Sequence, residues 1–359
     1  MKRIQVKRKT FNMLLLLFPI AIFSKWYQYV FTGGASFGIM AYIKNIVDTG
    51  VEIGMDSYDF PAKVYSLFKF LGFTTHLEWS VFFTAIFTII LFVMLLRYED
   101  YTIFQYIFIY ASMFLLCWLV MNMNKDLIQL IFILIIFKIC TLRISNSKKM
   151  IISSLVCLYE SLVFRNYYII LAGMIIVIYY ILNKNLTLHR KPNYARDIFL
   201  VLIVFFAGIF IIGFIMPEAY DNLVNRREGL EGFEGSVNTI ITNVIPGNSF
   251  PIFMANYCIN FLRILFPFEL IGLGINQIVF FAYQMSMTII LIISMRKINK
   301  ENIAYITIIL AYVVMMGASE SDFGTLARHQ AVIFMFFLAL FKNSDKKKEI
   351  ENVETPLTH

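Results

Sequence analysis

The feature that most constrains this chain is a series of apolar runs, several of them close to twenty residues long. A helix of about twenty residues spans the ~30 Å hydrocarbon core of a bilayer. Of the 359 residues, 59% are hydrophobic and only 15% are charged, so these runs dominate the sequence. They are continuous and do not alternate with polar residues, which argues against a membrane β-barrel. The sequence therefore predicts an all-α, polytopic membrane helix bundle.

We predict about ten transmembrane helices in a single transmembrane domain, residues 1–342, followed by a cytoplasmic tail, residues 343–359. Short loops rich in Lys and Arg stay in the cytoplasm, so these residues set the orientation. Basic residues precede the first span, and Lys346–Lys348 follow the last. Both termini are therefore predicted to be cytoplasmic, in a multi-pass protein of the cytoplasmic membrane. The predicted spans are approximately 11–31, 79–96, 101–121, 127–142, 150–164, 166–182, 197–216, 273–295, 303–318 and 330–341.

Two longer segments, residues 32–78 and 217–272, are predicted to be outer loops because acidic residues outnumber basic ones in both. Segment 32–78 contains short amphipathic pieces, which are typical of helices that lie on the membrane interface. The apolar string 249–274 is interrupted by prolines and by charged residues such as Arg263. We interpret it as a re-entrant or interfacial segment on the outer face, or as a hairpin of two spans.

The charge and cysteine patterns exclude several function classes. The net charge of +8 comes from Lys and Arg in short segments between spans, so nucleic acid is not an expected partner. The four cysteines lie in apolar segments without CxxC spacing, so we expect no metal site and no disulfide framework. The sequence contains no Walker loop, HExxH or DxD motif. We therefore expect no cofactor.

A charged segment near the C-terminus, residues 317–330, lies between two apolar runs. Charged side chains at membrane depth are costly and persist mainly where they pair or take part in chemistry. An acid, a cation and an imidazole together can bind an anion and move a proton. We predict His329, Glu320 and Asp322 as catalytic candidates and Arg328 as a substrate-binding candidate.

Three other regions carry polar residues that we predict to reach a similar depth and to bind a diphosphate or a sugar. An arginine fork suits phosphate, and aromatic rings stack on sugar faces. Each region has a structural alternative, namely solvation of a hairpin tip, capping of a helix or contact with a lipid headgroup. Glu160, which lies in an apolar run, is instead expected to form a structural ion pair. The substrate-binding candidates of these regions are Arg165, Tyr167, Tyr168, Lys125, Asp126 and Arg263.

Three short motifs together carry a resemblance to a known family. They are NKD at residues 124–126, FRNYY at residues 164–168 and ESDFGTLARH at residues 320–329. This combination resembles the EpsG-like and Wzy-like membrane proteins of bacterial exopolysaccharide and capsule loci, which are repeat-unit polymerases. The resemblance covers most of the chain as a pattern of spans and loops.

The resemblance implies an inverting, metal-independent glycosyltransferase at the outer face of the cytoplasmic membrane. It would polymerise lipid-linked oligosaccharide repeat units in capsule, exopolysaccharide or O-antigen biosynthesis, with an undecaprenyl-diphosphate-linked donor. Arg328, Arg165 and Arg263 would stabilise the leaving diphosphate, and His329 or a nearby acid would take the proton of the acceptor hydroxyl. The implied partners are the lipid-linked oligosaccharide, membrane lipids, and a chain-length regulator and flippase of the same pathway.

Other functions remain open at this point. A lipid-linked oligosaccharide flippase or another transporter would place charges throughout the membrane and contain paired repeats. A membrane acyltransferase of surface glycans would also use a histidine. A non-catalytic scaffold of a polysaccharide-export complex would tolerate substitution of Arg328. The predicted gathering of charges at one face favours an enzyme.

Overall fold

The described part of the chain is helical. The computed structural model describes residues 7–31, 37–50, 56–97, 101–163, 165–188, 194–215, 239–247, 249–320 and 322–341. The first part of the predicted loop 217–272 and the predicted tail 343–359 lie outside the described residues. Within the described residues, the only β-type pairing is a single bridge between Ile240 and Asp322. The prediction of an all-α fold is confirmed.

The helices follow the predicted spans closely, with additional short helices between them. Capping boxes start α5, at Thr75 and Glu78, and α6, at Thr102 and Gln105. Two short 3₁₀ helices, Lys69–Leu71 and Phe268–Gly272, and one π-helical turn, Leu116–Val120, lie between the α-helices. The α-helices are α1 (Arg8–Leu15), α2 (Leu17–Val30), α3 (Phe37–Thr49), α4 (Asp56–Ser66), α5 (His76–Leu96), α6 (Ile103–Leu115), α7 (Lys125–Thr141), α8 (Asn146–Val163), α9 (Tyr168–Thr187), α10 (Tyr194–Ile215), α11 (Phe250–Leu265), α12 (Ile275–Met295), α13 (Ile303–Ser319), α14 (Phe323–Val332) and α15 (Phe334–Phe341).

Six helical segments of the described chain are long and apolar enough to cross a membrane, and seven if the bent pair α14–α15 counts as one span. Large apolar side chains such as Leu162 and Phe214 are more than four-fifths exposed. Apolar exposure on this scale indicates a lipid environment. The remaining predicted spans correspond to helices that are shorter or more polar. The six segments are Arg8–Val30, His76–Leu96, Ile103–Val120, Tyr168–Thr187, Arg196–Ile215 and Ile275–Met295.

The chain packs as two units, of which the first comprises residues 1–135, 159–166 and 331–334. In this unit α2 packs on α5 and α6, and α3 packs on α4. The hydroxyl of Ser24 in α2 donates to the carbonyl of Phe114 in α6 at 2.8 Å. The packing of α2 against α6 thus includes a hydrogen bond as well as apolar contact.

The connection between α6 and α7 is a buried interruption of the helix. The π-helical turn Leu116–Val120 ends α6, and residues 121–124 leave the helical path. Asn124 restarts the helix, because its Oδ1 accepts a hydrogen bond from the backbone N–H of Leu127 at 3.0 Å. The carbonyl groups of this break are buried and need partners from other elements.

Lys25 of α2 is buried and donates hydrogen bonds to oxygen atoms of this break. Its Nζ donates to Asn122 Oδ1 at 2.6 Å, to the carbonyl of Met121 at 2.9 Å and to Gln28 Oε1 at 3.1 Å. An ammonium group has three donors, so all of them are satisfied. Lys25 therefore fixes the break from the side of α2.

Two hydroxyl groups also donate hydrogen bonds to carbonyls of the same break. Thr84 of α5 donates to the carbonyl of Met121 at 3.0 Å, and Tyr65 of α4 donates to the carbonyl of Asn124. Burial raises the pKa of the Tyr65 phenol well above its usual range, so the group stays a neutral donor. Side chains from three helices thus hold one stretch of irregular backbone.

The second unit comprises residues 136–158, 167–330 and 335–359, and α13 lies at its centre. Nearly every residue of α13 is buried, against α9, α11 and α12. Gly317 lies so close to α11 that a Cβ there would come within 3.1 Å of the rings of Tyr257 and Phe261. Tyr257 also donates to the carbonyl of Val314 at 2.9 Å. These contacts fix the last turn of α13.

The interrupted string 249–274 folds as a short helix and a returning segment. The carbonyl of Leu265, at the end of α11, accepts a hydrogen bond from Thr288 Oγ1 at 2.8 Å. Thr288 lies about 20 Å along α12 from the start of that helix at Ile275. The chain after α11 therefore runs back beside α12, through the turn Phe268–Gly272, before α12 begins.

Residues 239–245 form an irregular segment that is attached to α11 by polar side chains. Asn256 Oδ1 accepts hydrogen bonds from the backbone N–H groups of Val244 and Ile245 at 3.1 and 2.9 Å. Its Nδ2 donates to the carbonyl of Ile245 at 2.8 Å. Arg263 Nη1 donates to the carbonyl of Thr242 at 2.7 Å. One face of α11 thus holds the segment in place.

We predict that Lys25→Met lowers the free energy of unfolding of the purified protein by about 2–4 kcal/mol, because three buried oxygen atoms each lose a hydrogen bond. Thermal unfolding in detergent, followed by intrinsic fluorescence, measures the effect. Lys148→Met, at an exposed lysine of α8, is the control and should change the midpoint little. Equal midpoints for the two variants would contradict the role given to Lys25.

Candidate functional site

The candidate site lies where α13 turns into α14. α13 ends at Ser319, and Glu320 has an extended backbone with φ −87° and ψ 129°. His329 lies on the second turn of α14, and its Nδ1 is 2.7 Å from Glu320 Oε1. The side chains are only 6% and 4% exposed. The short turn between α13 and α14 thus brings together a buried acid and an imidazole that are nine residues apart.

The bond between the two side chains defines what the pair can do. If Glu320 is ionised, its carboxylate only accepts hydrogen bonds, and Nδ1 of His329 then carries the proton and Nε2 is the basic nitrogen. A carboxylate on Nδ1 also orients the ring and stabilises the imidazolium that forms when Nε2 takes a proton. The His329–Glu320 pair can therefore act chemically as a buried general base with its own orienting acid.

The hydrogen bonds shown for Asp322 and Arg328 join them to other residues and not to this pair. Asp322 Oδ2 accepts a hydrogen bond from the backbone N–H of Thr325 at 2.8 Å, and Oδ1 accepts one from Thr239. Asp322 thus caps the N-terminus of α14 and ties it to the 239–245 segment. Arg328 is partly exposed, and its Nη2 donates to Thr325 Oγ1 at 2.8 Å. It directly precedes His329 in the chain.

The predicted boundary of the last span is wrong. The sequence places its start at residue 330, with the charged residues in a loop before it. In the structure α14 already begins at Phe323, and α15 follows after a bend of 58°. The cap by Asp322 allows the helix to start among polar residues. His329 therefore lies on a helix, close to a bend, and not in a solvated loop.

A second polar cluster lies in the first unit, around Arg165. Its Nη2 is 2.6 Å from Asp126 Oδ1, and its Nη1 donates to Gln129 Oε1 at 2.6 Å. Arg165 and Asp126 are buried, with side chains 3% and 2% exposed. Asp126 and Gln129 belong to the first two turns of α7. The structure thus joins two of the predicted substrate-binding residues in one ion pair.

Glu160 lies one turn before Arg165 and is fully buried. Both of its carboxyl oxygens are buried without a hydrogen-bond partner in the described part of the chain. In that part of the chain the structure thus shows no hydrogen bond for the predicted ion pair of Glu160, which stays a prediction. The guanidinium of Arg165, the nearest cation in sequence, bonds to Asp126 and Gln129 instead.

Three other substrate-binding candidates, Lys125, Tyr167 and Tyr168, lie outside both clusters. Lys125 Nζ lies 4.8 Å from the centre of the Tyr58 ring, in the first unit. In the second unit, the rings of Tyr167 and Tyr168 are 5.2 Å apart. Tyr168 is fully buried, whereas Tyr167 is partly exposed. Of the two rings, only that of Tyr167 has a face that a sugar can reach.

Arg263 is held by several acceptors of the second unit. Its Nε and Nη2 donate to the two carboxylate oxygens of Glu269 at 2.7 and 2.6 Å. Its Nη1 donates to Asn260 Oδ1 at 3.0 Å as well as to Thr242. Arg263 thus clamps α11 to both neighbouring segments, and its contact with a diphosphate stays a prediction.

Several buried polar residues that the sequence analysis did not select have clear partners in the structure. Their common signal is an isolated polar residue within an apolar run, which marks a buried polar group without naming its partner. Among the described residues, no group of three or more His, Cys, Asp or Glu side chains could hold a metal ion. The residues in question are Lys25, Gln129, Asn256 and Asn260.

Fold and site together define a helical membrane protein with a buried His–Glu pair in one unit and a buried Arg–Asp pair in the other. Comparison with known proteins adds no relative. The chain matches no protein-family model, no curated protein and no solved structure.

We predict that Arg165→Met destabilises the protein by about 3–5 kcal/mol, because the buried carboxylate of Asp126 loses the cation that is paired with it. The double variant Arg165→Met/Asp126→Leu should recover much of this loss, since both charges are then absent. Thermal unfolding of the single and double variants measures the coupling. A double variant that is no more stable than Arg165→Met would contradict the pairing.

Proposed function

We propose that this protein is a membrane glycosyltransferase that polymerises lipid-linked oligosaccharide repeat units in capsule, exopolysaccharide or O-antigen biosynthesis. The observation that carries the proposal is the buried His329–Glu320 pair, 2.7 Å between Nδ1 and Oε1, beside Arg328. Transfer of a glycosyl group to a hydroxyl needs a base for the hydroxyl proton and positive charge for a diphosphate leaving group. In α14, His329 is the proposed base and Arg328 carries the positive charge.

In the proposed reaction, Nε2 of His329 removes the proton of the acceptor hydroxyl. The hydroxyl oxygen forms a bond to the anomeric carbon of the donor while the bond from that carbon to the diphosphate oxygen breaks. Attack from the opposite side inverts the configuration. The leaving diphosphate of the undecaprenyl carrier takes the bonding electrons, and Arg328 offsets its charge. Glu320 is a positioning residue, which orients the ring and stabilises the imidazolium.

The proposal includes a topology and a set of partners. We place about ten spans in the cytoplasmic membrane, both termini in the cytoplasm, and segments 32–78 and 217–272 outside. The α13–α14 turn then lies at the outer face, where the acceptor and the donor meet. The return of the chain after α11 supports a re-entrant course for 249–274. No metal or other cofactor enters the mechanism, and a chain-length regulator and a flippase are the proposed partners.

The contacts of the other candidate residues favour roles other than base or diphosphate binding. Arg165 and Arg263 are each bonded to a carboxylate of the protein. We assign Arg328 to the diphosphate because it directly precedes His329 and is partly exposed. Tyr167 offers a partly exposed ring for a sugar face. The assignment of His329 as base rests on its geometry with Glu320 and does not depend on these residues.

We predict that His329→Ala and Arg328→Ala abolish long polymer and cause single lipid-linked repeat units to accumulate. Lipid-linked glycans extracted from cells that carry each variant, and separated by size, measure the effect. Glu320→Gln should retain partial polymerisation, since its loss removes orientation and charge but not the base. Membrane abundance of each variant is measured in parallel, and His76→Ala serves as the histidine control.

Three outcomes would replace the proposal. Unchanged polymer length in both His329→Ala and Arg328→Ala would show that the pair is structural. Repeat units that accumulate on the cytoplasmic side would indicate a flippase. Polymer of normal length that lacks acyl groups would indicate a membrane acyltransferase.

A further inference from the structure

An apolar cavity lies in the second unit, among helices α9 to α13. Its volume is about 240 Å³, it is partly open, and side chains of five helices line it. The lining is apolar except for Asp197 and Thr288. An apolar space of this size among the helices of a membrane protein suits part of a hydrocarbon chain.

The short length of α11 explains why the cavity exists. α11 ends at Leu265 beside Thr288 of α12, and Phe261, Leu265 and Phe266 contribute to the lining. α12 continues for seven more residues to Met295, which is about 10 Å. Along this stretch α11 no longer fills the space against α12. The void is therefore a consequence of where α11 stops.

One end of the cavity carries basic residues from two helices. Asp197 lines this end, and Arg196 donates to it at 3.0 Å while its own side chain stays 40% exposed. Met295 lines the same cavity, and the exposed Arg296 and Lys297 follow it directly. Asp197 neutralises one of these three cations, so the rim keeps a positive charge.

We propose that this cavity binds one acyl chain of an anionic glycerophospholipid, with the phosphate of the headgroup against Arg196, Arg296 and Lys297. An apolar space with a basic rim is complementary to such an amphiphile. Segments rich in Lys and Arg lie on the cytoplasmic side, where anionic lipids attract basic residues. The bound lipid fills the space that α11 leaves and is not the substrate of the outer-face reaction.

Native mass spectrometry of the purified full-length protein tests the proposal, with palmitoyl-oleoyl phosphatidylglycerol and phosphatidylcholine as probes. The wild-type protein should retain one phosphatidylglycerol and bind phosphatidylcholine at least tenfold more weakly. Arg296→Gln/Lys297→Gln should lose roughly 30-fold in affinity for phosphatidylglycerol, since each basic residue near the headgroup contributes about 1 kcal/mol. Arg143→Gln/Lys148→Gln, at exposed positions outside the cavity, should bind as the wild type does.

A second pair of variants tests the position of the chain. Leu202→Trp fills the cavity and should abolish retention of the lipid, whereas Leu200→Trp, at an exposed neighbour outside the lining, should not. Equal retention in these two variants would overturn the proposal, as would equal affinity for the two phospholipids. Displacement of phosphatidylglycerol by undecaprenyl phosphate would assign the cavity to the lipid carrier and would also overturn it.

Discussion

The constraint on which this structure depends is that buried backbone groups need partners wherever a helix is interrupted. Water is absent from the bilayer core, so each unsatisfied carbonyl or N–H costs several kcal/mol. The chain interrupts its helices at the buried residues 121–124, and polar side chains of other elements supply the bonds there. The irregular, partly exposed segment 239–245 is bonded in the same way. Lys25 supplies such bonds at residues 121–124 and Asn256 at residues 239–245. Polar residues within apolar runs therefore make these irregular segments stable.

This constraint also separates two kinds of buried polar residue. Lys25, Tyr65, Thr84 and Asn256 each make at least one hydrogen bond to a backbone group of an irregular segment. The bond between His329 and Glu320 joins two side chains and satisfies no backbone group. Burying such a pair costs desolvation free energy without completing any interrupted helix. A catalytic role gives that arrangement a reason, which is why the proposed chemistry is centred on it.

The sequence predicted the elements better than their contacts. Continuous apolar runs located the helices within a few residues, because length and composition suffice for a spanning helix. The predicted start of the last span was wrong. The helix begins earlier because Asp322 caps it, whereas the charged residues around Asp322 had been interpreted as a loop. The pairing of Glu320 with His329 follows from the short turn between them. The pairing of Arg165 with Asp126 joins residues 39 apart, and no local pattern specifies it.

The central claim is that His329 is held by Glu320 as a base, with its proton on Nδ1. Solid-state NMR of the protein labelled with ¹⁵N-histidine in lipid bilayers tests it directly, because the ¹⁵N shifts distinguish the tautomers. The chain contains only four histidines, and a His329→Gln spectrum identifies the resonances of interest. We predict a protonated Nδ1 and an unprotonated Nε2, with this preference lost in Glu320→Gln. A proton on Nε2, or a spectrum that Glu320→Gln leaves unchanged, would contradict the account.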